Sequence, residues 1–231
     1  MVRKNRNSPT QRAWTDADSA LWHTCKFVSQ VEARQLPDLQ VDTLFALRSA
    51  EVAFARGPYS LDALRTAGNG SYSHNSTFIM GSGGLGLALG AGTLIGSAIG
   101  NSNRRAQATA DAQLAWRHDS TGQLVVTNQG FYLDTGSNLF AWDWGSVDSM
   151  EIIAFNYVQL SGTSTNGPVT WRIASPWAEL VFVLWAMGRH ARHPQLVQRM
   201  WIPANWSDWA RAQGYPNPLL PSRVPVGKHS S

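Results

Sequence analysis

The amino-acid sequence predicts an α+β fold in which an antiparallel sheet is closed by an apolar C-terminal helix. Short apolar runs separated by turn residues follow one another between residues 113 and 173, which is typical of a meandering antiparallel sheet. A nearly continuous apolar segment covers residues 177–187, and a segment with helical periodicity covers residues 15–35. These three observations predict an order of helix, strands and helix.

The N-terminal segment is predicted to form an amphipathic helix. Thr15 is a favourable N-cap, because its hydroxyl oxygen can accept a hydrogen bond from a free N–H of the first turn. Pro37 marks the end of the helix. One apolar face is formed by residues at i, i+4 and i+7, namely Leu21, Cys25 and Val28.

The next part of the chain predicts a mixture of elements. Residues 43–56 favour one or two strands. Gly57-Pro58 predicts a turn, and Ser60 is a candidate cap for a short helix that ends near Gly68. A further helix is expected after residue 105, ending at Trp116.

The predicted sheet then contains six apolar runs with turn residues between them. Alternation or a short apolar run marks each of them, at near-even spacing along the chain. The runs are residues 123–127, 131–133, 139–142, 147–155, 157–160 and 169–173.

Two helices are predicted after the sheet. Ser175-Pro176 supplies a cap and a proline at the start of the first helix, and Glu179 favours the positive end of its dipole. This helix is apolar on nearly every side, so it is expected to pack against the sheet and not on the surface. Residues 206–212 form the second, shorter helix, which Gly214 ends.

A charge-free segment, residues 76–100, interrupts this pattern and contains eight glycines from Gly81 onward. Its length suits a membrane span, which needs about 20 apolar residues. A hairpin of two ten-residue helices would reach only about 15 Å, half of a bilayer core. Three arrangements therefore stay open: a full span, a shallow membrane-inserting hairpin, and a hairpin packed on the protein or on a second subunit.

The glycine-rich segment also supplies the candidate contact residues for a membrane or a protein partner. Small residues at four-residue spacing let helices approach closely, and a pair of arginines follows the segment directly. The candidates are Leu85, Leu87, Leu89, Gly92, Gly96, Arg104 and Arg105.

One stretch of the predicted sheet resembles a known family. Residues 122–133 read G-Q-L-V-V-T-N-Q-G-F-Y-L, which is similar to the G-x-L-x-x-T-N strand-turn-strand of bacterial pleckstrin-homology-like (PH-like) and GRAM-like domains. Residues 140–147 resemble the strand that follows it in that group. The chain is also similar to uncharacterised actinobacterial proteins that combine Tyr72-Ser73-His74, a glycine-rich stretch, a helix ending in Trp116-Arg117 and a PH-like module.

The resemblance implies a PH-like antiparallel β-sandwich or barrel closed by the C-terminal helix, with the glycine-rich hairpin as an insert. The family often carries an arginine shortly after Thr-Asn, whereas Gly130 stands here. We therefore carry over no phosphate contact from the family. A PH-like scaffold serves many kinds of partner, so the fold alone implies no ligand.

The predicted organisation has four parts. Residues 1–14 are expected to be disordered, and residues 15–40 contain the amphipathic helix. Residues 41–200 form the PH-like domain, with the insert at residues 76–105. Residues 201–231 contain the short helix and a flexible tail.

Composition excludes several classes of function. The net charge is +4 and the isoelectric point about 9.6, but the basic residues are scattered, so no nucleic-acid partner is expected. Cys25 is the single cysteine, which excludes a disulfide framework. His190 and His193 lack an evident third ligand for a metal. No catalytic or cofactor-binding motif occurs, so we expect neither an enzyme nor a bound cofactor.

The sequence thus predicts a non-enzymatic PH-like scaffold or adaptor that acts through the glycine-rich segment. Its partner is a protein, a second copy or the inner membrane face. The basic N-terminus has no apolar stretch after it, so we expect a cytoplasmic protein, with peripheral or integral attachment to the cytoplasmic membrane as an open alternative. The alternative function is a small-ligand-binding β domain in which Trp142 or Trp144 forms the pocket wall.

Overall fold

The computed structural model describes residues 12–66 and 114–220, which form an α+β fold. The helices are α1 (Asp16–Glu32), α2 (Ala178–Arg189), α3 (Pro194–Val197) and α4 (Trp206–Ala212), with a short 3-10 helix at Trp144–Ser146. The strands are β1 (Ala53–Arg65), β2 (Ala115–Thr127), β3 (Gly130–Asp134), β4 (Leu139–Asp143), β5 (Val147–Ala154), β6 (Tyr157–Ser164) and β7 (Gly167–Ala174). The glycine-rich insert at residues 76–105 lies outside the described residues.

All seven strands belong to one antiparallel sheet, in the order β4-β3-β2-β1-β7-β6-β5. The predicted α+β class and antiparallel sheet are confirmed. The predicted closure into a barrel is wrong, because the sheet ends at β4 on one side and at β5 on the other. The predicted sandwich of two sheets is also wrong. The strands form a single continuous sheet, since β1 pairs with both β2 and β7.

The turn predicted at Gly57-Pro58 and the short helix predicted from Ser60 are also wrong. Strand β1 runs straight through all three residues. Pro58 is tolerated because β7 pairs with β1 only from Ser60 onward, so one side of the strand is an edge at the proline. Gly57 is needed for space, since a Cβ atom there would press on the indole of Trp177.

The helix predicted to end at Trp116 is contradicted in its last residues, because β2 begins at Ala115. Leu64 and Trp116 are paired across the β1–β2 hairpin, and so are Arg65 and Ala115. The cross-strand bonding of a long hairpin outweighs the helical preference that the local sequence carried. The C-terminal end of β1 and the N-terminal end of β2 are consequently adjacent in the sheet.

The core lies between one face of the sheet and α2. Apolar side chains on all sides of α2 are buried, including Leu180, Phe182 and Trp185, as its composition predicted. Helix α2 packs on β5, β6 and α1. Helix α1 begins at its predicted cap, because Thr15 and Asp18 form a reciprocal capping box.

The two ends of the described chain pack together. Trp14 stacks between Tyr215 and Trp209, with ring centroids 4.2 and 5.3 Å away. The indole of Trp22 donates to the carbonyl oxygen of Pro216 at 3.1 Å. Two segments that were predicted to be loose therefore pack on the rest of the protein. They are residues 12–14 at the N-terminus and residues 215–220 after α4.

Candidate functional site

The Thr127-Asn128 pair that carries the family resemblance lies in the tight turn between β2 and β3. The Thr127 hydroxyl donates to Glu51 Oε1 at 2.6 Å and accepts from the backbone N–H groups of Gln129 and Gly130 at 3.1 Å. A single buried hydroxyl thus closes the turn and ties it to the chain before β1. Such a side chain has no exposed group left for a ligand.

Glu51 is the centre of this network. It is almost fully buried and accepts hydrogen bonds from Thr127, from the Tyr132 hydroxyl at 2.7 Å and from the Arg48 backbone N–H at 3.1 Å. Burial acts to raise the pKa of Glu51, but these hydrogen bonds outweigh it and lower that pKa below its ordinary value. Burial together with the bond to Glu51 raises the pKa of Tyr132 to about 12.

Asn128 and Gln129 hold the same segment from the other side of the turn. The Asn128 side chain accepts from the Val52 backbone N–H at 2.9 Å and donates to the Ala50 carbonyl at 3.1 Å. Gln129 donates to the Ser49 carbonyl at 3.2 Å. The Thr-Asn motif therefore anchors residues 49–52 to the sheet.

The structure gives a steric reason for the glycine at position 130. Its Cα faces the carbonyl of Trp142 on β4, and a Cβ atom would overlap that oxygen. An arginine at this position would force β3 and β4 apart. The absence of a basic side chain here thus follows from the close approach of the two strands.

The two tryptophans expected to line a pocket are both buried in the core. Trp142 meets Trp171 edge-on, with centroids 4.5 Å apart, and its ring is parallel to Phe131 at 6.2 Å. The indole N–H of Trp144 donates to the Asn128 carbonyl at 3.2 Å. In this arrangement both rings support the sheet and the Thr127-Asn128 turn.

The seven candidate contacts in the glycine-rich segment, Leu85, Leu87, Leu89, Gly92, Gly96, Arg104 and Arg105, lie outside the described residues. The structure does describe the ends of β1 and β2 from which that segment departs. The guanidinium of Arg65 bridges to Asp119 at 2.9 Å and also donates to the His118 carbonyl at 3.2 Å. These contacts across the hairpin fix the two strand ends against each other.

A row of polar side chains crosses the sheet next to these strand ends, and sequence reasoning missed it. Asp62 is paired with His118 on one side and with Arg172 on the other, and Arg172 is paired with Gln159. The row is connected by contacts, because Arg172 donates to Gln159 at 2.9 Å and Tyr157 donates to Asp62 at 3.0 Å.

Trp116 completes the row and joins it to the end of β2. The guanidinium carbon of Arg172 lies 3.9 Å from the centre of the Trp116 ring, a cation–π contact. The polar alternation at residues 157, 159, 170 and 172 was the available signal in the sequence. It identifies one face of two strands, but it does not reveal that β1 lies between β7 and β2.

A second buried carboxyl group lies in the first turn of α2. Glu179 is fully buried; its Oε1 accepts from the Asn156 backbone N–H at 2.7 Å, whereas its Oε2 has no hydrogen-bond partner. Burial raises the pKa of Glu179 to about 7, against the lowering effect of the hydrogen bond from the Asn156 backbone. Sequence reasoning assigned this residue only to the helix dipole.

Within residues 12–66 and 114–220, no group of three His, Cys, Asp or Glu side chains could hold a metal ion. His193, one of the two histidines considered above, instead caps α3 by accepting from the Gln195 backbone N–H at 3.2 Å. No helix in the described part of the chain is both long and apolar enough to cross a membrane. Compared with known proteins, the chain matches no family model, no curated protein and no solved structure.

Proposed function

We propose that the protein is a non-enzymatic scaffold with a PH-like fold that presents its glycine-rich segment to a partner. The pairing of Arg65 with Ala115 is the observation that supports this most directly. It means that 49 residues, 66–114, are inserted between two strand ends that are hydrogen-bonded to each other. The sheet thus forms a base from which the segment leaves and to which it returns.

The chemistry of the segment supports association over catalysis. It has no charged residue from 76 to 100, and it is followed by Arg104 and Arg105. An apolar, glycine-rich surface can pack closely on another helix or enter the interfacial zone of a membrane, and adjacent arginines favour anionic headgroups. The proposed partner is therefore a second protein surface or the inner membrane face.

The PH-like part of the proposal has two supports. Seven antiparallel strands are followed directly by an apolar helix that covers the core. The Thr127-Asn128 turn joins two successive strands of this sheet, which supports the assignment of a strand-turn-strand motif there.

The test is to replace residues 66–114 with Asn-Gly. This dipeptide favours the tight turn that joins two antiparallel strands, so β1 and β2 stay paired at Arg65 and Ala115. We expect the shortened protein to keep its unfolding transition but to move from a membrane or oligomeric fraction to a soluble monomer. Sedimentation with membranes and light scattering after chromatography measure the two properties.

A second variant separates the chemistry of the segment from its length. Here residues 76–100 are exchanged for a linker of equal length made of glycine, serine and asparagine, while Arg104 and Arg105 are kept. Loss of association in both variants supports the proposal and assigns the contact to the apolar residues. Unchanged fractionation and mass in the Asn-Gly variant would contradict it.

A further inference from the structure

At the outer edge of β5, one side chain makes the hydrogen bonds that a neighbouring strand would make. The Gln195 side chain accepts from the Ile152 backbone N–H at 2.9 Å and donates to the Ile152 carbonyl at 2.8 Å. A carboxamide that bonds both groups of one residue makes the same pair of bonds that an added β-strand would make. The edge is therefore shaped for a peptide backbone.

The register extends this edge beyond Ile152. Met150, Glu151 and Ile152 pair without interruption with Leu160, Gln159 and Val158 of β6. Because backbone N–H and C=O groups alternate in direction along a strand, Met150 directs its pair to the same side as Ile152. An incoming strand could thus bond both residues once the Gln195 side chain moves away.

The side chains beside this edge indicate which kind of peptide strand could bind there. Asp148 and Glu151 are exposed, and β5 carries no basic residue. Apolar surface is available as well, since Ile153 and Val197, which lie next to the Gln195–Ile152 contact in sequence, are 40% and 65% exposed. Charge complementarity favours a strand that alternates basic and apolar side chains.

We propose that the outer edge of β5 binds an extended peptide of alternating basic and apolar residues. Without the peptide, the Gln195 side chain makes the hydrogen bonds that the peptide backbone would make. This edge is formed by described residues alone, and the proposal goes beyond the function proposed above. Strand addition of this kind uses main-chain hydrogen bonds for affinity and alternate side chains for specificity. A second copy of the chain is a poorer occupant, because Asp148 and Glu151 would oppose their own like charges.

The probe is a fluorescein-labelled hexapeptide of alternating lysine and valine, titrated into the full-length chain and followed by anisotropy. We expect saturable binding to the wild type. Gln195→Met keeps the length of the side chain but forms neither hydrogen bond, so it should tighten binding by about tenfold, as removal of a competing pair of bonds predicts. Gln198→Met, at an exposed position three residues on, is the matched control and should leave binding unchanged.

Two further peptides test the mode of binding. Replacing each valine with proline removes backbone donors and should weaken binding by at least about tenfold. A glutamate–valine peptide should bind as poorly, because it meets the two acidic side chains of β5. Hydrogen exchange should also show added protection of the Met150 amide when the lysine–valine peptide is bound to the wild type.

The proposal is overturned if the proline peptide binds as tightly as the lysine–valine peptide, or if Gln195→Met folds normally and binds no better than the wild type. If Gln195→Met forms a dimer with protected Met150 and Ile152 amides, a second copy is the occupant and the assignment to a basic peptide fails. Loss of the glycine-rich segment should leave peptide binding unchanged, so this result is distinct from the test of the proposed scaffold.

Discussion

Glu179 shows how a single buried side chain links stability to pH. Its carboxyl has one unpaired oxygen, and it interacts with the buried thiol of Cys25 on α1, whose pKa is raised by burial and by the charge on Glu179. Asn156 offers it a backbone N–H from the β5–β6 turn. The protonated form is thus the one that this environment accommodates best.

The expected consequence is a loss of stability as pH rises. The pKa of Glu179 is about 7 in the folded protein against an ordinary value of 4.5, so between these values the folded protein keeps a proton that the unfolded chain releases. The contribution of Glu179 to the free energy of unfolding is fully present below pH 4.5 and falls by about 3 kcal/mol by pH 8. Glu179→Gln should therefore match the wild type in urea unfolding at pH 4 and exceed its free energy of unfolding at pH 8.

The exposed Glu151→Gln serves as the control for this comparison, since it removes a carboxylate without burial. Because the side chain is exposed, this substitution should change the free energy of unfolding at pH 8 by less than about 0.5 kcal/mol. A Glu179→Gln protein with the same pH dependence as the wild type would show that the buried carboxyl does not titrate in this range.

At the scale of elements, the β2–β3 turn organises the sheet around it. Thr127→Val keeps the shape of the side chain but leaves the N–H groups of Gln129 and Gly130 and one oxygen of Glu51 without their partner. We expect a loss of about 1–3 kcal/mol in the free energy of unfolding, the cost of unsatisfied buried groups. Chemical denaturation at pH 7 measures it.

Thr121→Val, on the same strand but exposed, is the control and should change the free energy of unfolding by less than about 0.5 kcal/mol. If the two substitutions change the free energy of unfolding equally, the hydrogen bonds of Thr127 do not stabilise the protein and only its strand propensity does. In that case Glu51 would be held by Tyr132 and Arg48 alone.

Elements defined by local signals could be predicted from the sequence, whereas those defined by distant pairing could not. The capping residue Thr15 and the limits of α4 agree with the structure, because caps and glycine stops act within a few residues. The strand through Gly57-Pro58 was missed because its stability comes from β2, more than 60 residues later. Glu51 was missed as a site residue for the same reason, since its partners Thr127 and Tyr132 are 76 and 81 residues away.

At the scale of the whole molecule, the first helix and the last described residues are joined into one layer beside α2. Trp22 and Ser29 of α1 donate to the carbonyl oxygens of Pro216 and Pro218. Arg199 donates to the Leu219 carbonyl at 2.7 Å and bridges to Glu32 at 3.1 Å. The C-terminal segment thus follows α1 along its length, and the two should unfold together.

The stack of Trp14 on Tyr215 allows this coupling to be tested with matched variants. Tyr215→Ala removes a ring that lies 4.2 Å from Trp14, and we expect the free energy of unfolding to fall by about 1–2 kcal/mol because a partly exposed aromatic pair is lost. Tyr215→Phe keeps the ring and should change it by less than about 0.5 kcal/mol. If the layer is one unit, hydrogen exchange in Tyr215→Ala will be faster in α1 as well as in α4, whereas faster exchange confined to α4 would show that α1 is held by α2 alone.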